Sequence, residues 1–163
     1  MYKMIAAFSF LAIASATMTG CNDKEGSQGS AATTKTNYYS SDKCNIDSIA
    51  GQISAGTGAS IYVPRGVAVF NGWAIDTANQ DAPKEMRLRL TGYKGTPTVF
   101  KDPAIVDRID LVKTYNNEKL LKSGFSFTAD LSSMEPGGYS VAIEIPGANS
   151  SLLCQGKVLL VIE

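Results

Sequence analysis

Histidine is absent from this chain of 163 residues. Without an imidazole, the Ser-His-Asp and Cys-His arrangements of nucleophilic catalysis lack their ordinary base. Three cysteines without any histidine also make a poor metal-binding set. No sequence motif indicates a cofactor, and we predict none. These absences exclude the commonest catalytic equipment and leave binding functions as the leading class.

An excess of charge of one sign is lacking as well. Lysine and arginine total 15, and aspartate and glutamate also total 15, so the formal net charge is zero. A protein that binds nucleic acid needs a strongly basic surface. We therefore predict that no nucleic acid is a partner.

A hydrophobic run long enough to span a membrane is also missing. The uncharged stretch "MIAAFSFLAIASATM" covers residues 4–18, which is short of the roughly 20 residues that a transmembrane helix needs. It follows Lys3 and precedes two small residues, which is typical of a secretory signal. We interpret residues 1–20 as a signal peptide.

The signal ends in Met18-Thr19-Gly20-Cys21. This tetrapeptide resembles the lipobox of bacterial lipoproteins, with Met18 where that family usually has leucine. The resemblance implies that Cys21 is acylated, becomes the first mature residue and anchors the protein in the membrane of the cell envelope. In the family's sorting pattern, Asn22 favours the outer membrane. The alternative is an ordinary signal peptide followed by an unrelated cysteine.

Residues 21–43 are rich in glycine, serine, threonine, asparagine and charge. Such a composition cannot bury enough apolar surface to fold, so it predicts a flexible tether behind the lipid. Residues 44–163 are predicted to form one domain of ordinary size.

Two cysteines remain if Cys21 is lipidated, namely Cys44 and Cys154. Export places them in an oxidising compartment, where such a pair usually forms a disulfide. The bond would join the start of the domain to its last strand. A reactive or metal-binding thiol pair is the alternative.

Apolar and polar residues alternate with the period of two that indicates β-strands in four segments: 66–76, 84–93, 124–131 and 139–145. In the first segment Val67, Val69, Trp73 and Ile75 share one face, and Gly72 indicates a bulge or a close approach. The last segment, 152–163, becomes apolar on both faces, which predicts a central strand.

One segment has a different rhythm. Asp102 is a suitable N-cap, Pro103 suits the first helical position, and Ile105, Ile109 and Val112 recur at helical spacing. These residues predict a short helix at about 103–116. Together with the strands, this predicts an all-β, Ig-like antiparallel β-sandwich with one short helix.

Four short strings follow one another between residues 66 and 145: "GWAID" (72–76), "RIDL" (108–111), "SGFSF" (123–127) and "PGGY" (136–139). Their order resembles a pattern in small bacterial β-sandwich modules, which occur as accessory domains on envelope and carbohydrate-related proteins. The resemblance implies the fold and brings no catalytic residues. The spacing of Cys44, Trp73 and Cys154 departs from that of immunoglobulin domains, so the Ig-like resemblance is architectural.

Two groups of polar residues are candidate binding sites. Arg87 and Arg89 lie on the same face of one strand, where they could bind an anionic glycan, a lipid headgroup or an acidic protein; alternatively they form the solvated side of the strand. Asp76, Asn79 and Asp81 offer hard oxygen ligands for calcium within one loop, although aspartate and asparagine are also common turn residues.

A carboxylate pair is the remaining catalytic candidate. Asp107 and Asp110 lie three residues apart on the predicted helix, and glycosidases use two carboxylates. Arg108 and Lys113 stand beside them, so a solvated charge cluster, with Arg108 and Asp110 paired locally, is the alternative.

These observations predict a non-enzymatic, membrane-anchored envelope lipoprotein that acts as a binding or adaptor module for an envelope protein or glycan. One alternative is an inhibitor or exclusion factor against an incoming enzyme or phage, which would act through the loop at 92–97. Another is a carboxylate-dependent hydrolase.

Overall fold

The computed structural model describes residues 36–54 and 58–163. The predicted signal peptide, the lipidation site at Cys21 and the tether as far as residue 35 lie outside this part of the chain. Within it, no helix combines the length and the hydrophobicity that a membrane span requires. The described chain is mostly β-structure arranged in two sheets, as predicted.

Eleven strands and one α-helix are described. In chain order the strands are β1 (Asn37–Ser41), β2 (Cys44–Ile49), β3 (Gln52–Ile53), β4 (Ala59–Val63), β5 (Val67–Ala74), β6 (Arg87–Thr91), β7 (Pro97–Phe100), β8 (Ala104–Val106), β9 (Gly124–Asp130), β10 (Gly137–Pro146) and β11 (Ser150–Ile162). The helix α1 (Ile109–Tyr115) and a 3₁₀ helix (Glu118–Lys122) lie between β8 and β9.

The two sheets form the layers of a sandwich. Sheet A has the strand order β1-β11-β10-β6-β7, with β4 also paired to β11, and sheet B has the order β3-β2-β5-β9-β8. The predicted central position of the last strand is confirmed, because β11 has neighbours on both sides. Most strand pairs are antiparallel, as predicted, but β1 and β4 depart from the prediction because they pair with β11 in parallel. Parallel pairing is possible here because β1 and β4 are far from β11 in sequence and need no tight turn.

Ordered structure begins earlier than the predicted tether allows. The strand β1 falls inside the predicted tether at 21–43, and it pairs along β11 from Asn37 opposite Ser150 to Ser41 opposite Cys154. Main-chain hydrogen bonds to a sheet edge do not depend on apolar side chains, which explains why composition gave no sign of this strand. The folded domain therefore includes Asn37–Ser41, which precede Cys44.

The predicted helix at 103–116 is wrong over its first half. Asp102 has a positive φ of 56° instead of capping a helix, and Ala104–Val106 form the edge strand β8 beside β9. Ile105 and Val106 are β-branched residues, which favour a strand when a sheet edge is available. The helix begins only at Ile109.

The main core lies between the sheets. The alternation predicted for the segments at 84–93, 124–131 and 139–145 is confirmed, because one face of each segment is buried in this core: Met86, Leu88, Leu90, Phe125, Phe127, Ala129, Leu131, Val141, Ile143 and Ile145.

In β5, however, the core side is the face of Ala68 and Phe70, whereas Val67 and Val69 are exposed. Trp73 packs instead against a separate small cluster formed by Ile75, Leu111 and Leu120. Gly72 is a point of close approach, because a Cβ atom there would lie 2.2 Å from the carbonyl oxygen of Asn45.

The predicted disulfide between Cys44 and Cys154 is confirmed. Cys44 is the first residue of β2 in sheet B, and Cys154 lies in β11 in sheet A, so the bond crosses the sandwich. It also fixes the end of β1, since Ser41 is the partner of Cys154 in the strand register.

Replacing both bridged cysteines, with Cys44→Ala and Cys154→Ala, should lower the free energy of unfolding by about 4–5 kcal/mol. The bond joins residues 110 apart, and the chain-entropy argument gives this magnitude for a loop of about that length. Urea denaturation of the variant and the oxidised wild type measures the difference, and reduction of the wild type should give a similar loss. A loss below about 1 kcal/mol would contradict the structural role.

Candidate functional site

A buried carboxylate lies on the outer face of sheet A. Glu144 in β10 is only 3% exposed, yet its side chain points away from the main core. Its Oε2 lies 2.7 Å from Nη1 of Arg89, and its Oε1 accepts a hydrogen bond of 3.1 Å from the Ser151 hydroxyl. Nη1 of Arg87 is 3.7 Å from Oε1. These contacts compensate the burial of the charge.

Tyr38 extends over this group from β1. The guanidinium of Arg89 donates a hydrogen bond of 2.9 Å to the Tyr38 hydroxyl, and its central carbon lies 4.9 Å from the centre of the Tyr38 ring. Burial alone would lower the pKa of Arg89, but the hydrogen bonds to Glu144 and Tyr38 hold it above its usual value. Tyr38 thus joins the first described strand to the Glu144 group.

Arg87 and Arg89 share a strand face, as the sequence predicts, but both side chains are paired within the fold. Arg87 also binds Glu85, with Nη2 and Oε1 2.7 Å apart. Because Glu144 and Glu85 neutralise them, the two arginines offer little net charge to an anionic partner. The geometry therefore supports a structural role for this face.

The candidate calcium loop is held together by its own hydrogen bonds. Oδ1 of Asp76 accepts from the backbone N–H groups of Ala78 and Asn79, and Oδ2 accepts from the Asn79 amide at 2.7 Å. Asp81 pairs with Asp76 through the backbone. Over residues 36–54 and 58–163, no group of three or more histidine, cysteine, aspartate or glutamate side chains is arranged to hold a metal ion. Asp76 and Asn79 act here as turn residues.

Asp107 and Asp110 form ion pairs with two different basic side chains and do not act together as a carboxylate pair. Asp107 pairs with Lys122 at 2.6 Å, while Asp110 accepts two hydrogen bonds from Arg108. This confirms the local pairing of Arg108 with Asp110. The hydrogen bonds from Arg108 lower the pKa of Asp110 to about 2, which makes it a poor general acid near neutral pH.

A pocket of about 440 Å³ opens at one end of the sandwich. It lies between the loop at 92–97 and the loop that precedes β10, and we call it the loop-end pocket. Tyr93 is fully exposed at its rim, and the half-buried ring of Tyr139 forms a wall. The Tyr139 hydroxyl donates a hydrogen bond of 2.7 Å to the carbonyl oxygen of Glu135. Loops often carry binding residues, and tyrosine is enriched at interfaces.

An ion pair crosses the loop-end pocket. Nζ of Lys94 lies 2.7 and 2.9 Å from the two carboxylate oxygens of Glu135. The hydrogen bond from Lys94 lowers the pKa of Glu135, and Glu135 in turn raises the pKa of Lys94. These two charges cancel. The rest of the polar lining consists of neutral groups, which include the hydroxyls of Thr96, Thr98 and Ser133, so the pocket carries little net charge.

The loop-end pocket and the start of the described chain are at opposite ends of sheet A. Asn37 pairs with Ser150, beside the turn between β10 and β11. The pocket adjoins Gly137, which pairs with Ile162 at the other end of the same two strands. The strand β10 has ten residues and therefore spans about 30 Å.

Comparisons with known proteins give no match: no family model, no curated protein and no solved structure is significantly similar to this chain. The site must therefore be interpreted from its own geometry. Sequence reasoning did not identify Glu144, Tyr139 or Glu135 as site residues. For Glu144 the available signal was that it is the single charged residue in the segment at 139–145, since a charged residue that becomes buried is usually paired.

Replacing Glu144 with glutamine should lower the free energy of unfolding by about 2–3 kcal/mol, because Arg89 would lose a charged hydrogen-bond partner in a mostly buried setting. The matched control is Glu135→Gln, which removes the exposed partner of Lys94 and should leave stability unchanged within error. Urea denaturation of both variants makes the comparison. Equal stabilities would show that burial of Glu144 does not depend on its ion pairs.

Proposed function

We propose that this protein is a non-enzymatic lipoprotein of the bacterial cell envelope, anchored through Cys21 in the outer membrane, and that it binds an envelope protein or glycan through the loop-end pocket. The anchor rests on the lipobox resemblance of residues 18–21. The binding role rests on the pocket and on its place in the fold.

The Ig-like description of the sandwich belongs to the same proposal. Two packed sheets and a disulfide between them support it. The position of Trp73 departs from the immunoglobulin pattern, because Trp73 packs under α1 and not in the main core. The proposal therefore concerns the architecture and carries over no residue roles.

The observation that carries the binding proposal is the separation between the loop-end pocket and Asn37. A tether from Cys21 would enter the folded domain at Asn37, about 30 Å from the pocket end of β10. Such a connection leaves the pocket free to face away from the membrane that holds the lipid. Loops at one end of a rigid sandwich are a common place for binding residues.

The lining of the pocket supports recognition of a largely uncharged surface. Lys94 and Glu135 neutralise each other, while tyrosine, serine, threonine and glycine supply flat contact area and adaptable hydrogen bonds. A glycan or an uncharged protein loop fits these groups better than a polyanion does.

A role as inhibitor or exclusion factor is the second candidate, because the exposed Tyr93 on the loop at 92–97 is also suited to enter a cleft of an incoming enzyme or a phage protein. Expression in a sensitive host separates the two functions. Protection that is lost on Tyr93→Ala would favour exclusion. The contacts of Asp107 and Asp110 give the hydrolase alternative no support, because Asp107 pairs with Lys122 and Asp110 pairs with Arg108.

A photo-crosslinking side chain in place of Tyr93 should capture an envelope protein or glycan at least about tenfold more efficiently than the same side chain in place of Tyr39. Both tyrosines are exposed, but Tyr39 lies on β1 at the opposite end of sheet A. Crosslinking in intact cells, followed by mass spectrometry, identifies the adduct. Equal yields at the two positions, or none at Tyr93, would refute the loop-end pocket as the binding site.

A further inference from the structure

A second pocket, of about 280 Å³, opens near the end of sheet B where β5 finishes. We call it the Lys43 pocket. Its lining includes Lys43, Ile75, Gln80, Tyr115 and Leu120. It shares no residue with the loop-end pocket, so a ligand bound here would be independent of the proposed function.

The floor of the Lys43 pocket is apolar. Ile75 and Leu120 are almost completely buried and belong to the small cluster with Leu111 and Trp73, apart from the main core. Tyr115 adds a ring at one side. The partly exposed ring of Tyr115 is apolar surface that a ligand group lying on this floor would remove from water.

The walls are fixed by hydrogen bonds that involve no ligand. The N–H of Ile75 donates to the carbonyl oxygen of Lys43 at 2.9 Å. The side-chain amide of Asn117 donates to the carbonyl oxygen of Gln80, also at 2.9 Å. These bonds tie the segments around β2, β5 and the 3₁₀ helix together, so the pocket is preformed.

Lys43 brings a positive charge to this apolar site without a counter-ion. Its ammonium group lies 5.9 Å from the centre of the Tyr115 ring. Within the part of the chain that the structure describes, no carboxylate lies within 4 Å of it; Lys94 and Lys122 are the two described lysines that have one. Lys43 is the one described lysine that is partly buried while the others are exposed, so its charge is partly removed from water and would gain from an anionic partner.

We propose that the Lys43 pocket binds a small amphipathic carboxylate. Its apolar part would lie on Ile75 and Leu120 beside the Tyr115 ring, and its carboxylate would pair with the Lys43 ammonium. The volume is at the lower limit of ordinary ligand pockets, which restricts the occupant to a small molecule. The single charge of a lysine suits a monoanion and demands no bidentate geometry.

Three probes of nearly equal size test the charge requirement: phenylacetate, its neutral analogue phenylacetamide, and the phenethylammonium cation. The full protein, purified as the cell produces it, is titrated with each probe, and binding is followed by ligand-detected NMR. Phenylacetate should bind at least about tenfold more tightly than phenylacetamide, since a charged hydrogen bond in a partly buried site has that effect. The cation should not bind.

Variants assign the effect to Lys43. Lys43→Met should weaken phenylacetate binding about tenfold and leave phenylacetamide unchanged, whereas Lys43→Arg should keep the preference for the anion. Lys101→Met, at an exposed lysine that lines neither pocket, is the matched control and should change neither. Thermal unfolding shows whether each variant is folded. Equal binding of phenylacetate and phenylacetamide, no binding of either, or an unchanged preference in a folded Lys43→Met would overturn the proposal.

Discussion

The bond between Cys44 and Cys154 is the constraint on which the described arrangement depends. It connects the first residue of β2 in sheet B with β11 in sheet A, and β11 is the strand that β1, β4 and β10 all contact. Only two residues separate the end of β1 at Ser41 from Cys44, where β2 begins. One covalent link therefore holds the two layers together and fixes where the chain crosses between them.

Charge is used differently at three places in this nearly neutral chain. On the outer face of sheet A, Glu144 and its two arginines form a compensated cluster beneath Tyr38, which contributes to the fold. At the loop-end pocket, the exposed pair of Lys94 and Glu135 leaves a neutral lining. In the Lys43 pocket, the ammonium group of a half-buried lysine lies near the Tyr115 ring and has no carboxylate within 4 Å. The type of ligand that each place suits follows from how its charge is balanced.

Local alternation was sufficient to predict which residues of β6 and β9 face the core, because Leu88, Leu90, Phe125 and Phe127 obey the strand period. It could not predict β1, since a polar strand is held by main-chain bonds that leave no mark in the side chains. Nor did it choose correctly between helix and strand at 104–106, because the spacing of Ile105, Ile109 and Val112 fits a helix whereas a free sheet edge decides for a strand. Long-range pairing limited the prediction of the site even more. Glu144 lies 55 residues from Arg89, and Lys94 lies 41 residues from Glu135, so these partners meet only through a strand order that the sequence pattern does not specify.

The intact mass of the mature protein isolated from membranes, measured before and after reduction, tests directly whether this chain is a lipid-anchored and disulfide-bonded module. We expect a chain that begins at Cys21, carries added acyl mass and gains about two daltons when the bond between Cys44 and Cys154 is reduced to two thiols. An unlipidated chain, or one without that gain, would contradict this assignment.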